Sequence, residues 1–95
     1  MTAIIIEDEK PALEKLKSGL NKADPGIEVL ACLTSIEQAT SWLQSNSHPD
    51  LIFMDIELSD GLSFQILEHS SIQSPIIFTT AYDEYWQEAF EHNSI

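Results

Sequence analysis

The chain reads as an α/β protein, a parallel β-sheet covered on both faces by helices. Short apolar runs, Ala3-Ile4-Ile5-Ile6, Leu51-Ile52-Phe53-Met54 and Ile76-Ile77-Phe78, hold neither Gly nor Pro, as strands buried on both faces do. Segments with apolar residues at helical spacing separate them. The connections are short, so the order βαβαβαβα closes through right-handed crossovers.

Residues 2–7 are the first predicted strand. A helix over 10–22 follows, with Pro11 in its first turn and Leu13, Leu16 and Leu20 on one face. Asp24-Pro25-Gly26 is a turn before a second strand, 27–33. Ser35-Ile36-Glu37-Gln38 has the form of a capping box for a helix over 36–46, with Ile36, Ala39 and Leu43 facing inward. Pro49 and Asp50 introduce the third strand, 51–55, and Asp60-Gly61 opens a third helix, 61–69, using Leu62, Ile66 and Leu67. Pro75 precedes a fourth strand, 76–80, and a fourth helix covers 83–92. His48, His69 and His92 fall at or just past helix ends, where donor side chains suit the terminal carbonyls. Tyr82, Tyr85, Trp86 and Phe90 gather around the fourth helix, with Trp86 and Phe90 as a core-facing stripe.

Ninety-five residues allow one domain, spanning 1–95, and 43% hydrophobic content is enough for a packed core. No apolar run approaches membrane-spanning length and no signal pattern opens the chain, so a soluble, cytoplasmic protein without membrane contact is expected. Cys32 is the single cysteine, which excludes an internal disulfide and reads as a small buried hydrophobe. Sixteen acids against four basic residues, Lys10, Lys15, Lys17 and Lys22, give a formal charge of −12. Such a surface repels polyanions, so direct nucleic-acid binding by these residues is disfavoured.

The acids are placed unevenly. Glu7 and Asp8 end the first strand, and Asp55 ends the third. In open α/β sheets ligands bind outside the carboxyl ends of the strands. Two unit charges at 4 Å cost about 4 kcal/mol with an effective dielectric of 20, so a cluster of three raises a pKa or holds a cation. Hard oxygen donors in this arrangement suit Mg²⁺.

Ile4-Ile5-Ile6-Glu7-Asp8-Glu9, Asp50-Leu51-Ile52-Phe53-Met54-Asp55-Ile56-Glu57-Leu58 and Ile77-Phe78-Thr79-Thr80-Ala81-Tyr82-Asp83 together resemble the receiver domain of two-component response regulators. Asp60-Gly61-Leu62-Ser63-Phe64 and Thr79-Thr80-Ala81-Tyr82-Asp83-Glu84-Tyr85 are similar to the LytR/AlgR class, whose members carry a LytTR DNA-binding domain after the receiver. The resemblance implies a three-layer, flavodoxin-like (CheY-like) doubly wound sheet in the order 2-1-3-4, with the fifth strand and fifth helix missing. It also implies a phosphorelay module rather than an enzyme: a phospho-acceptor, Asp55, that takes a phosphoryl group from a sensor histidine kinase. By the same resemblance Mg²⁺ is held by Asp8 directly, Glu7 through water, Asp55 itself and the backbone carbonyl of Glu57. Thr80 hydrogen-bonds the phosphoryl group and moves with it, and Ala81 leaves it room.

One departure from the family pattern has weight. The lysine of a Lys-Pro pair, the aromatic switch residue and the fifth helix would lie beyond Ile95. The expectation is a receiver incomplete at its C-terminus, impaired in phosphorylation, reaching DNA only through a domain absent from this chain. Uncovering about 400 Å² of apolar surface along the fourth strand costs about 10 kcal/mol. A homodimer, an exchanged dimer or marginal stability follows. The alternatives are a pseudo-receiver that never accepts phosphate, and a Mg²⁺-dependent phosphatase of the haloacid dehalogenase type. The latter wants Asp-x-Asp near the first strand, whereas this chain has Asp55-x-Glu57 on the third.

Overall fold

The computed structural model describes residues 1–79. Its elements are β1 (Thr2–Ile6), α1 (Lys10–Ala23), β2 (Glu28–Leu33), α2 (Ile36–Ser45), β3 (Leu51–Met54), β4 (Glu57–Leu58), β5 (Gly61–Leu62), α3 (Phe64–His69) and β6 (Ile76–Phe78). Four strands form one parallel sheet in the order β2-β1-β3-β6, the predicted 2-1-3-4. Thr80, Ala81, the four aromatic residues from Tyr82 to Phe90, His92 and the fourth helix lie outside the described residues.

Strand alternation sorts the apolar runs onto two faces. Ile4, Ile6, Ile52, Met54, Ile76 and Phe78 face one way, against Ala39 and Leu43 of α2 and Phe64 and Ile66 of α3. Ala3, Ile5 and Phe53 face the other way, against Leu13, Leu16 and Leu20 of α1. Phe64 and Phe78 meet edge to face, with ring centroids 5.5 Å apart. Cys32 is half-buried against the α1-side cluster, in the hydrophobic role expected of it. Among the described residues, no helix is long and apolar enough to cross a membrane.

The first two helices begin where the sequence places them, with one change of partner. Ser35 caps α2 by accepting the Gln38 N–H at 3.0 Å, but the Gln38 side chain reaches one residue further back than a capping box requires. It accepts the Thr34 N–H at 3.0 Å and the Thr34 hydroxyl at 3.1 Å. His69 closes α3, as expected, while His48 is exposed in the loop after α2.

The third helix differs from the expectation. It starts at Phe64, and residues 57–62 instead form a small antiparallel hairpin pairing Glu57 with Leu62 and Leu58 with Gly61. Gly61 has φ +138°, which an L side chain rarely adopts, so the backbone cannot enter a helix there. A second irregularity lies in β2. Ala3 pairs with Val29 but Ile4 pairs with Ala31, so Leu30 is an extra residue at the edge, 43% exposed. This bulge turns Leu33 onto the α2 face of the sheet.

Candidate functional site

The ladder that builds the sheet also aligns its acidic end. Beyond β1, the Glu7 N–H donates to the Leu33 carbonyl at 2.9 Å. Beyond β3, the Asp55 N–H donates to the Ile6 carbonyl at 2.9 Å, and the Thr79 N–H beyond β6 donates to the Met54 carbonyl at 3.0 Å. Because β1 and β3 are adjacent, parallel and paired from Ala3 with Leu51 to Ile6 with Met54, their first residues past the sheet emerge side by side. Glu7, Asp8 and Asp55 each bring a carboxylate oxygen within 4.8 Å of the others. The structure thus gathers the three acids predicted to act together.

Burial and mutual repulsion set their protonation. Like charges at this range repel by about 3 kcal/mol per pair at an effective dielectric of about 20. Glu7 is 7% exposed. Its carboxyl is pushed from 4.5 up to about 7, chiefly by burial. The Glu9 N–H, which donates to Glu7 Oε2 at 3.2 Å, opposes that rise, while the charges of Asp55 and Asp8 add to it. Burial also raises Asp55; the hydrogen bond from Glu7 and the N–H groups of Glu57 and Ile56 oppose the rise, and the Asp8 charge adds to it. Both carboxyls are thus harder to ionise than free ones, and they titrate as a pair.

Of Glu57, the structure brings the backbone N–H to the Asp55 carboxylate, and the side chain is exposed. A mainly apolar hollow of about 430 Å³ runs along α1 beside the acids, lined by Glu7, Lys15, Leu16, Leu20 and Thr79 among others. Reading the sequence missed Asp60. Its carboxylate accepts the N–H groups of Ile36 at 3.0 Å and Glu37 at 3.3 Å, across the turn from the hairpin to the first turn of α2. Nothing in the local pattern around Asp60 signals a partner 24 residues away.

A strand-end cluster of carboxylates on this topology suits a hard divalent cation and a nucleophilic aspartate. Known proteins carry the same arrangement of chain. The response regulator receiver domain family matches residues 3–94. The chain is 35% identical over 96 residues to a response regulatory protein of Yersinia pestis, covering 99% of this chain and 40% of that protein. It is 33% identical over 98 residues to the sensory transduction protein LytT of Bacillus anthracis, covering 100% of this chain and 39% of that one. The response regulatory domain of protein mrkE from Klebsiella pneumoniae superposes with a TM-score of 0.83 at 29% identity, over 100% of this chain and 79% of that domain. The chain therefore spans about two fifths of the length of these curated relatives. By sequence, topology and acidic strand ends alike, it belongs to the response regulator receiver domain family, with LytT-type regulators among its relatives.

Proposed function

We propose that this chain is the phospho-acceptor module of a two-component response regulator, with Asp55 as the residue that is phosphorylated. The observation that carries this reading is the meeting of Glu7, Asp8 and Asp55 at the carboxyl ends of neighbouring parallel strands. Three carboxylates, two of them with raised pKa, make a site that gains from a hard cation in place of a proton. Asp8, Asp55, Glu7 through water and the Glu57 carbonyl would hold Mg²⁺. When bound, the ion supplies neutralisation of charge on the transferring phosphoryl oxygens.

Asp55 must be ionised to act. One of its oxygens attacks the phosphorus of a kinase phosphohistidine and forms an acyl phosphate. The P–N bond breaks, its electron pair returns to the imidazole, and that ring takes up a proton from solvent. The Ile56 and Glu57 N–H groups hold the Asp55 carboxylate in place for this attack. The Thr80 hydroxyl would hydrogen-bond a phosphoryl oxygen, and the small Ala81 would leave space beside it. A sensor histidine kinase is the donor in this reading, and DNA is reached through a separate LytTR-type domain.

Incubation with Mg²⁺ and acetyl phosphate or beryllofluoride, followed by mass spectrometry and fluorine NMR, tests the proposal. Stoichiometric capture that disappears in Asp55→Asn supports it. Steady turnover of a phosphoester would instead indicate a phosphatase of the haloacid dehalogenase type. Capture of neither reagent by the protein with Mg²⁺ present would indicate a pseudo-receiver.

A further inference from the structure

The hairpin after Asp55 is anchored at both ends. At its base, the backbone N–H groups of Glu57 and Ile56 favour the charged Asp55 carboxylate, and the Ser63 N–H donates to the Ile56 carbonyl at 2.8 Å. At its tip, Asp60 Oδ1 accepts the Ile36 N–H at 3.0 Å and Oδ2 accepts the Glu37 N–H at 3.3 Å. These are two of the orphan donors that open any helix. The third, on Gln38, is already met by Ser35 at 3.0 Å. Gly61 seats the tip closely, since a Cβ there would lie 3.2 Å from Ile36 Cδ1 and 3.1 Å from Gln65 Nε2. Only the two-residue strands Glu57–Leu58 and Gly61–Leu62 separate the anchors. Two pairs of residues are too few to be stable alone, so the hairpin takes its position from its end anchors and from Leu58 and Leu62, which pack on the α2-side core.

We propose that Asp60 is a positioning residue for the acidic site: by clasping the hairpin tip to the first turn of α2, it fixes the backbone of Ile56 and Glu57 against Asp55. The proposal deepens the phospho-acceptor reading and rests on it for its functional meaning. Asp60 touches neither the acids nor the reacting atoms. It acts through the backbone of a six-residue hairpin whose other end carries two groups that the site uses.

The test compares Asp60→Ala, Asp60→Asn and Ser35→Ala in the 95-residue protein. Amide hydrogen exchange by NMR is followed without cation, and Mg²⁺ affinity by titration. Ser35→Ala removes the other cap of α2 and leaves the hairpin alone. In Asp60→Ala, the amides of Ile56 and Glu57 should exchange about tenfold faster, relative to the core strands, and Mg²⁺ should bind several-fold more weakly. Asp60→Asn, which keeps a carbonyl acceptor, should recover part of both. Ser35→Ala should change neither once the loss of global stability is taken into account. Unchanged exchange at residues 56 and 57 in Asp60→Ala would overturn the clasp, as would equal acceleration in Ser35→Ala. Failure of the wild-type chain to bind Mg²⁺ counts against the phospho-acceptor reading alone, and the exchange data then still decide the clasp.

Discussion

Replacing Glu7 with Gln isolates the energetic cost of gathering acids at the strand ends. The side chain is 7% exposed, and its carboxyl titrates at about 7 instead of 4.5. Between those values the folded protein keeps a proton that the unfolded chain has lost. The folded pKa is raised, so the stability it contributes is fully present below 4.5 and is lost as pH rises through 7. The displacement amounts to about 3 kcal/mol. Gln keeps the shape and has no charge to acquire. Without divalent cation, Glu7→Gln should therefore gain on the wild type by about 3 kcal/mol as pH rises across that window, and the difference should level off above it. With Mg²⁺ the order should reverse, because a cation at a hundredfold excess over its Kd stabilises the wild type by about 2.7 kcal/mol and a neutral amide holds it less well. Urea unfolding followed by circular dichroism, in EDTA and in Mg²⁺ over a pH series, measures both effects. A stability difference between the two proteins that does not change with pH would refute the reasoning.

Three further outcomes are expected. Phe64→Ala removes the ring that meets Phe78 inside the α2-side core and should cost about 3–5 kcal/mol, read as a large drop in the urea midpoint. Asp50 accepts the Thr2 N–H at 2.7 Å and the Thr2 hydroxyl at 3.2 Å, which lower its pKa below 3.8. Its contribution is present above 3.8 and lost as pH falls through the lowered value, so Asp50→Asn should flatten the acid limb of the stability curve in a pH titration of Tm. In the described sheet β6 bonds to β3 on one side only. Light scattering behind size-exclusion chromatography should thus show association that grows with protein concentration; a monomer throughout, with one sharp thermal transition, would count against it.

The parts of the fold read correctly from sequence are those whose cause is local and repeated. Ile4 and Ile6 on one face and Ile5 on the other follow from strand alternation, and Leu13, Leu16 and Leu20 from helical spacing. Glu7, Asp8 and Asp55 are legible as a cluster because each lies at the end of an apolar run and parallel strands bring such ends together. What escaped has a different origin. Strands of two residues have no periodicity to detect, so the sequence pattern extends the third helix back over Gly61-Leu62, whereas it begins at Phe64. The bulge at Leu30 depends on register with β1, and Gln38 chose Thr34 over Ser35 by a geometry that the capping pattern does not encode. Asp60 reads in the sequence only as the residue that opens the third helix, because its partners Ile36 and Glu37 are near only after folding.

The slipped residue in β2 gives the sheet two unlike rims. Among the described strands, β6 is a regular run of Ile76, Ile77 and Phe78 in continuous register with β3, while β2 on the opposite side is broken by Leu30. Open-ended stacking of copies requires that the left rim of one molecule accept the right rim of the next, indefinitely. An interrupted row of hydrogen-bonding groups on one side defeats that chain growth. Within the described sheet, the surplus leucine thus makes the β2 side the poorer template for edge-to-edge pairing.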